Sequence, residues 1–455
     1  MKTTCHFLIF LLLIFSTTTW ARTFHVGPEQ KLANIGDVPW EMLAAGDTVL
    51  IYYRSDPYRE KWVICARGTV AQPIVVRGIP GPNGEYPVID GRNATTRKQL
   101  NYWNESRGVV KIGGAHTPGD TMPQNIIVEN LEIRSGRPPY TFNGRNGVVA
   151  YANNAAAIFL EKGEQITIRN CILHDSGNGF FCASQSSHVL VEGCYIYDNG
   201  MEGRIYEHNN YTEARGIIFQ FNHFGRLRRG CLGNNLKDRS AGTIIRYNWI
   251  EDGNRQLDLV DAGHAELFND PVYRTTCVYG NILIEGHGQG NSQIVHYGGD
   301  SNIRNQYRKG ILYFYNNTVI STRADNTTLI RLSTSDETCL MQNNIFYITA
   351  PGEQLALSHD DGSLHIKNNW IKSGWVIGHE PLTGSVQDLG NNFSGDDPGF
   401  VNLSEQQFEL IPDAPCIDMG SIPKYPVENE YIPHQQFRPR RMINDIDIGA
   451  YEARF

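Results

Sequence analysis

The chain is poor in charge. Only 19 % of its 455 residues are Asp, Glu, Lys or Arg, and the signs nearly cancel, 40 basic against 48 acidic, for a formal net charge of -8. That balance excludes bulk binding to nucleic acid, although a local patch can still hold an anion. Helical periodicity is missing between the apolar segments, so coiled coils and helical repeats are excluded. No CxxC pair is present to suggest a zinc site. The one long apolar run, Phe7 to Phe15, is too short to span a bilayer. Lys2 precedes it and Thr19-Trp20-Ala21 follows, the pattern of a secretory signal cleaved after Ala21. The expectation is a signal peptide over residues 1–21 and a secreted or periplasmic mature chain over 22–455.

Cleavage removes Cys5 and leaves Cys65, Cys171, Cys182, Cys194, Cys231, Cys277, Cys339 and Cys416. An even number in an oxidising compartment permits disulfides. Most of these residues sit inside apolar runs, where a free cysteine behaves as a small hydrophobe.

What is present is glycine (45), aromatic residues (11 %) and a repeat. An alternating apolar run, then Asn, Gly or Cys, then a second apolar run recurs as "NIIVENLEI", "QITIRNCIL", "HVLVEGCYI", "GIIFQFNHF", "TIIRYNWIE", "TCVYGNILI", "LYFYNNTVI", "CLMQNNIFY" and "LHIKNNWIK". Cys171, Cys194, Asn222, Asn248, Asn281, Asn317, Asn344 and Asn369 are equivalent, at steps of 23, 28, 26, 33, 36, 27 and 25 residues. Such periods mean a solenoid, a propeller or an array. The runs favour Ile, Val, Tyr and Phe and are strands. Propeller blades need roughly 40 residues or more. A coil of this length suits three short strands and three turns of a parallel β-helix, stacked at about 4.8 Å. A polar side chain at one turn then bonds its counterparts above and below. The ends differ from the middle, as caps should. "VPWEMLAAGDTVLIYY" reads as a short helix, a turn and a strand. The expected organisation is an N-terminal cap and first coils over 22–120, central coils with a groove over 121–372, and C-terminal coils and cap over 373–455.

With the Asn-bearing rungs, the end segments "ARGTVAQPIVVRGI", "DDPGFVN", "FELIPDAPCIDMG" and "DIDIGAYEARF" resemble the secreted right-handed parallel β-helix proteins that include polysaccharide lyases and polygalacturonases. The resemblance implies an all-β, single-stranded right-handed parallel β-helix with a short N-terminal capping helix. It implies a polysaccharide as partner.

On such a fold chemistry sits in a groove lined by successive coils. The strands after the Asn rung read "EHNNYTEAR", "GNNLKDRS", "RQLDLVDAG", "QIVHYGGD" and "LALSHDDG". Side chains alternate faces along a strand. Lys237 and Arg239 therefore point one way, as do Tyr211, Glu213 and Arg215, with His208 just before them. Asp258 and Asp261, His296, and His359 with Asp360 follow on later coils. Leu236, Leu257 and Leu259 face the core. "EHNNYTEAR" followed by "GNNLKDRS" also resembles a segment of bacterial polysaccharide-degrading β-helix proteins. These carry a His-Asn-x-Tyr-like element and then Lys-Ser-Arg. Here the matches are His208, Asn209 and Tyr211, then Lys237 and Arg239, with Asp238 in the serine's place, which puts a carboxylate beside Lys237.

Those residue types suit β-elimination on a uronic acid. Arg neutralises the sugar carboxylate, which makes the proton on the adjacent carbon removable. Lys237 serves as base if neighbouring cations depress its pKa, and Tyr211 or His208 protonates the leaving oxygen or exchanges roles with it. Arg215 and the basic run Arg226, Arg228 and Arg229 hold carboxylates of adjacent sugars, with Asp258 and His296 as further substrate contacts. A glycoside hydrolase using Asp258 and Asp261 and a non-catalytic carbohydrate-binding solenoid are the other two readings. Cofactor need is none, or calcium on Glu213, Asp258 and Asp261, whose oxygens suit it. "GHGQG" (residues 286–290) resembles a polygalacturonase element, but the other elements of that family do not follow in order. The expected state is a monomer without a membrane span.

Overall fold

The computed structural model describes residues 20–288 and 290–455; of the signal expected over 1–21, residues 1–19 lie outside the described part. The described chain winds into a solenoid of parallel strands. One coil shows the pattern: Thr275–Tyr279, a tight turn, Ile282–Glu285, a loop, then Gln293–Tyr297. Each strand pairs in parallel with its counterpart one coil on, Ile311–Tyr315, Thr318–Ser321 and Thr327–Leu332. Three ladders result. One runs through strands such as Ala241–Arg246 and Thr338–Gln342. The second is an 11-stranded sheet from Val88–Asp90 to Phe393–Gly395. The third contains Asn210–Thr212, Leu236–Asp238, Leu257–Leu259 and Gln293–Tyr297. Two long strands, Ala156–Arg169 and Asn178–Glu192, bend from the third ladder into the first. Alternation sends one set of side chains inward, and Ile245, Ile250, Leu257, Val278, Leu283 and Val295 stack as a continuous core.

The repeat's polar position is the joint between the first two ladders. Asn222 donates from Nδ2 to Asn248 Oδ1 (2.9 Å), Asn248 to Asn281 (3.0 Å), Asn281 to Asn317 (3.0 Å), Asn317 to Asn344 (3.1 Å) and Asn344 to Asn369 (2.9 Å). The row ends on Asn392, which the repeat spacing did not reach. Each Oδ1 also accepts the backbone N–H of the preceding rung, as Asn281 does from Asn248 (3.0 Å). Cys171 and Cys194 start the row, where a weak sulfur contact (3.5 Å) takes the amide's place. The residue before each rung has positive φ, for example Asn316 (50°), Asn343 (57°) and Gly280 (64°). That explains the Asn-Asn pairs: the first tolerates the left-handed turn and the second makes the ladder.

The short helical cap consists of two single 3-10 turns, Ile35–Asp37 and Trp40–Met42, because Gly36 and Pro39 interrupt a longer helix. Trp40 stacks on Trp62 across the end of the core (5.5 Å between rings). At the other end the chain leaves the coils after Phe393–Gly395 and turns back along the outside. Asn343 Oδ1 accepts from Ser421 N–H, and Trp249, Phe408, Tyr431 and Tyr451 form a separate apolar cluster. All eight described cysteines are free, and all but Cys231 are buried. Here they act as small hydrophobes. No helix among the described residues is long and apolar enough to cross a membrane.

Asn281→Ala removes two side-chain donor bonds to backbone carbonyls, two ladder bonds and the bond accepted from the Asn248 N–H, in the middle of the stack. We expect a loss of about 3 kcal/mol of stability, from the buried groups left unpaired. Denaturant unfolding followed by far-ultraviolet dichroism measures it, and the same change at Asn392, near the end of the row, should cost visibly less.

Candidate functional site

Ladder register places the outward residues of the third ladder in one column. Phe159, Phe181, Tyr211, Lys237, Asp258, His296, Arg331 and His359 are successive partners. The flanking residues Leu236, Leu257 and Leu259 are buried in the core. Part of this column floors a cleft of about 970 Å³, walled by Arg107, Arg204, His208, Arg239, Arg255 and Asp300 among others. Six cations line it (Arg107, Arg204, Lys237, Arg239, Arg255, Arg331) against three carboxylates (Glu207, Asp258, Asp300). A cleft with that excess draws in an anion although the whole chain is acidic.

Lys237 stands at the centre. Its ammonium donates to Asp258 Oδ2 and to Asp300 Oδ2 (2.6 Å). Arg239 donates to the carbonyl of Asp261 and to Asp300 Oδ1 (2.7 Å). Asp300 thus has one carboxylate oxygen on each cation. Burial presses the Lys237 pKa down, but Asp258 and Asp300 carry it above the usual lysine value. This corrects the expectation of a depressed lysine: the nearest charges are anions, so Lys237 is held as a cation. Asp258 is fully engaged. Besides Lys237 it accepts from Asn234 Nδ2 (2.7 Å) and from His296 Nδ1 (2.9 Å). Burial pushes its pKa up, yet Lys237, His296 and Arg255 hold it well below the carboxylate range. With Nδ1–H fixed on Asp258, His296 Nε2 accepts from Ser333 Oγ (2.8 Å). That hydroxyl also accepts from the Gly299 N–H (3.0 Å). The Asp-His-Ser order is therefore a strut between coils.

His208 and Tyr211 form the other half. His208 Nδ1 accepts the Asn234 backbone N–H (2.9 Å), which leaves its proton on Nε2. Burial, with the Lys237 charge, lowers its pKa to about 3, so the ring is neutral. Its ring lies 5.9 Å from that of Tyr211. Tyr211 stacks on Phe181 (5.0 Å, 6° between planes), and the Arg239 guanidinium lies 5.8 Å from its centroid. Burial raises the Tyr211 pKa, while Arg239 and Lys237 favour the phenolate.

Several expected site residues lie elsewhere. Arg215 begins the next strand, beyond the bend at Ala214, and pairs with Asp270. Arg226 pairs with Asp252, and Arg228 with Asp175 and Asp198. With Arg229 they line a separate depression of about 470 Å³, together with Gly288 and Gly290 of the "GHGQG" stretch; Gln289 is outside the described residues. Most of this basic run thus neutralises the protein's own turn carboxylates. Glu213, Asp258 and Asp261 do not form a calcium site. Glu213 accepts from Gly263 N–H and His264, and Asp261 accepts from Asp300 N–H (2.7 Å). Among the described residues no group of three or more His, Cys, Asp or Glu could hold a metal ion. Asp258 and Asp261 are also poor hydrolase partners, being 2 % and 1 % exposed. Asp238 does not sit beside Lys237 in the cleft. Alternation turns it inward, where Arg308 takes its Oδ2 (2.8 Å) and bonds the carbonyls of Asp238, Ser240 and Val260.

Arg107, Asn234, Arg255, Asp300 and Arg331 escaped the sequence reading. Arg331 had a signal, since it occupies the same position of "TTLIRL" as His296 does in "QIVHY". Asp300 had none: a loop of no fixed period brings it over Lys237.

A family model described as a right handed beta helix region matches residues 123–306. The chain is a right-handed β-helix. Among solved structures, pectate lyase Pel9A matches this β-helix with a TM-score of 0.53 and 11 % identity, over 96 % of this chain and 97 % of that one. An alginate lyase from a Paenibacillus species matches at 0.45 and 12 %, over 80 % and 99 %. A lacto-N-biosidase from Eubacterium ramulus matches at 0.42 and 12 %, over 81 % and 68 %. No curated protein sequence matches the chain. At 11 % identity the likeness to the pectate lyase is one of fold, so chemistry has to be argued from the site.

Arg308→Met should destabilise the protein by about 3–5 kcal/mol, because it strands the buried Asp238 carboxylate. Adding Asp238→Asn to Arg308→Met should recover part of that loss in the same unfolding experiment.

Proposed function

We propose that this β-helix is an exported enzyme that cleaves a uronic-acid-containing polysaccharide by β-elimination. One observation carries the reading: Lys237 and Arg239 grip a single carboxylate, that of Asp300, beside Tyr211. The geometry is that required for the carboxylate of a sugar acid, with Asp300 holding the place until substrate displaces it. The fold is one that a pectate lyase uses, and the pattern from Lys2 to Ala21 supports export.

In the reaction, Lys237 and Arg239 bind the uronate carboxylate and stabilise the charge that moves onto it as the adjacent carbon loses its proton. The base is Tyr211. Lys237 is held as a cation, the Nδ1 lone pair of His208 is taken by Asn234, and both nitrogens of His296 are engaged. The Tyr211 phenolate, favoured by the same two cations, takes the proton. The C–H electron pair becomes the ring double bond, the bond to the leaving oxygen breaks, and Tyr211 returns the proton to that oxygen. The neutral His208 Nε2–H is a fixed donor for the same oxygen, a role that a neutral imidazole can fill.

The test is a panel of pectate, alginate, glycosaminoglycans and bacterial exopolysaccharides, followed by the absorbance of a newly formed unsaturated uronate. We expect Tyr211→Phe and Lys237→Met each to lower kcat/KM by about a thousandfold or more. Because burial leaves free Tyr211 protonated at neutral pH, kcat/KM should rise with pH through the alkaline range, and a rate that falls as pH rises would refute Tyr211 as base. New reducing ends without the absorbance mean hydrolysis, and binding without new ends means a non-catalytic solenoid.

A further inference from the structure

Five of the six cations lining the cleft have a carboxylate within 4 Å: Arg204 has Glu207, Lys237 and Arg239 share Asp300, Arg255 has Asp258 (3.8 Å) and Arg331 has Asp360. Arg107 has none among the described residues. Glu161, the carboxylate whose charge acts most on Arg107, is taken by Lys111 (2.6 Å), Trp103 (2.7 Å) and Asn104 (2.8 Å). Arg107 Nε is buried without a hydrogen-bond partner. The guanidinium is held in place by aromatic faces, 4.7 Å from the Phe159 centroid and 4.5 Å from that of Phe181. Its position is fixed from behind as well, since the 3-10 turn Glu105–Arg107 is tied to the neighbouring loop by Ala152 N–H on the Ser106 carbonyl. Asn153 and Asn154, which follow Ala152, also line the cleft.

A half-buried guanidinium, ordered by two rings and with its Nε buried and unpartnered, is costly unless a ligand supplies the anion. Phe159 and Phe181 stand three and two coils before Lys237. At about 4.8 Å per coil, Arg107 is roughly 10–14 Å from Lys237. That separation is too large for one sugar ring to reach both.

We infer that Arg107 binds the carboxylate of a second acidic sugar in the same polymer, displaced along the coil axis from the reacting one. The inference rests on the polymer reading above, though not on its chemistry. It gives the cleft a direction: the chain lies across the coils, over the Tyr211–Phe181 stack, with anionic groups on Lys237 and Arg239 at one point and on Arg107 at the other. Two fixed positive points select a substrate acidic at both positions over one with a single acidic sugar.

The experiment measures calorimetric binding of dimeric and hexameric fragments of pectate, alginate and chondroitin to Tyr211→Phe protein, in which cleavage does not interfere. At least one hexamer should bind. Adding Arg107→Ala should weaken that hexamer by about tenfold or more while changing its dimer little. Arg107→Gln, which retains bulk against the two rings, should lose the same affinity and guards against a folding defect, checked by thermal melting. The inference is overturned if either variant binds the hexamer like its parent, if dimer and hexamer weaken equally, or if no hexamer binds. The two readings separate. An Arg107-dependent hexamer that the native protein leaves uncleaved removes the elimination and keeps the subsite. Undiminished cleavage and binding in Arg107→Ala does the reverse.

Discussion

The amide row from Asn222 to Asn392 is the constraint on which the rest of the molecule depends. Each rung donates to the next and accepts from the one before, so the turn between two strands is held at one height in every coil. Hydrophobic burial alone would tolerate a coil slipped by one residue only at the cost of turning its apolar side chains outward. The amide row adds a polar penalty to the same slip, since buried donors would lose their acceptors. With register fixed on one side of the coil, the opposite ladder is in register too. A column such as Tyr211, Lys237, Asp258 and His296 can then form from residues 26, 21 and 38 positions apart in sequence.

The column is also an electrostatic device with two layers. Inside, Asp238 and Arg308 neutralise one another completely and brace three coils. Outside, Asp258 and Asp300 hold Lys237 between them, and Asp300 leans on Arg239. Dense pairing keeps the long charged side chains of the cleft ordered. Departures from pairing therefore stand out, and Arg107 is the departure. The same logic explains why the conspicuous basic run Arg226 to Arg229 is a poor guide to the cleft. Arg226 and Arg228 are matched by Asp252, Asp175 and Asp198 at the turns.

How much could be read beforehand follows from what repeats. The strands, the ladder positions and the outward set on the third ladder recur with the coil, and periodic features are visible in sequence. Arg215 was misplaced because alternation was carried through Ala214, where the strand ends and the chain bends. Asp238 was misplaced because its likeness to a serine position outweighed the alternation that sends it inward. Asp300 and Arg107 were missed because a loop and a 3-10 turn deliver them, and neither element has a period.

By itself the sequence determined the solenoid, the polar row at its turns and which residues of the third ladder face out. These follow from local alternation and from a repeat that every coil obeys. Only the tertiary structure decided the protonation of Lys237, the tautomers of His208 and His296, and which cleft cation has no carboxylate partner among the described residues. Those properties depend on distances between charges brought together from loops of unrelated length, and no local pattern encodes such distances.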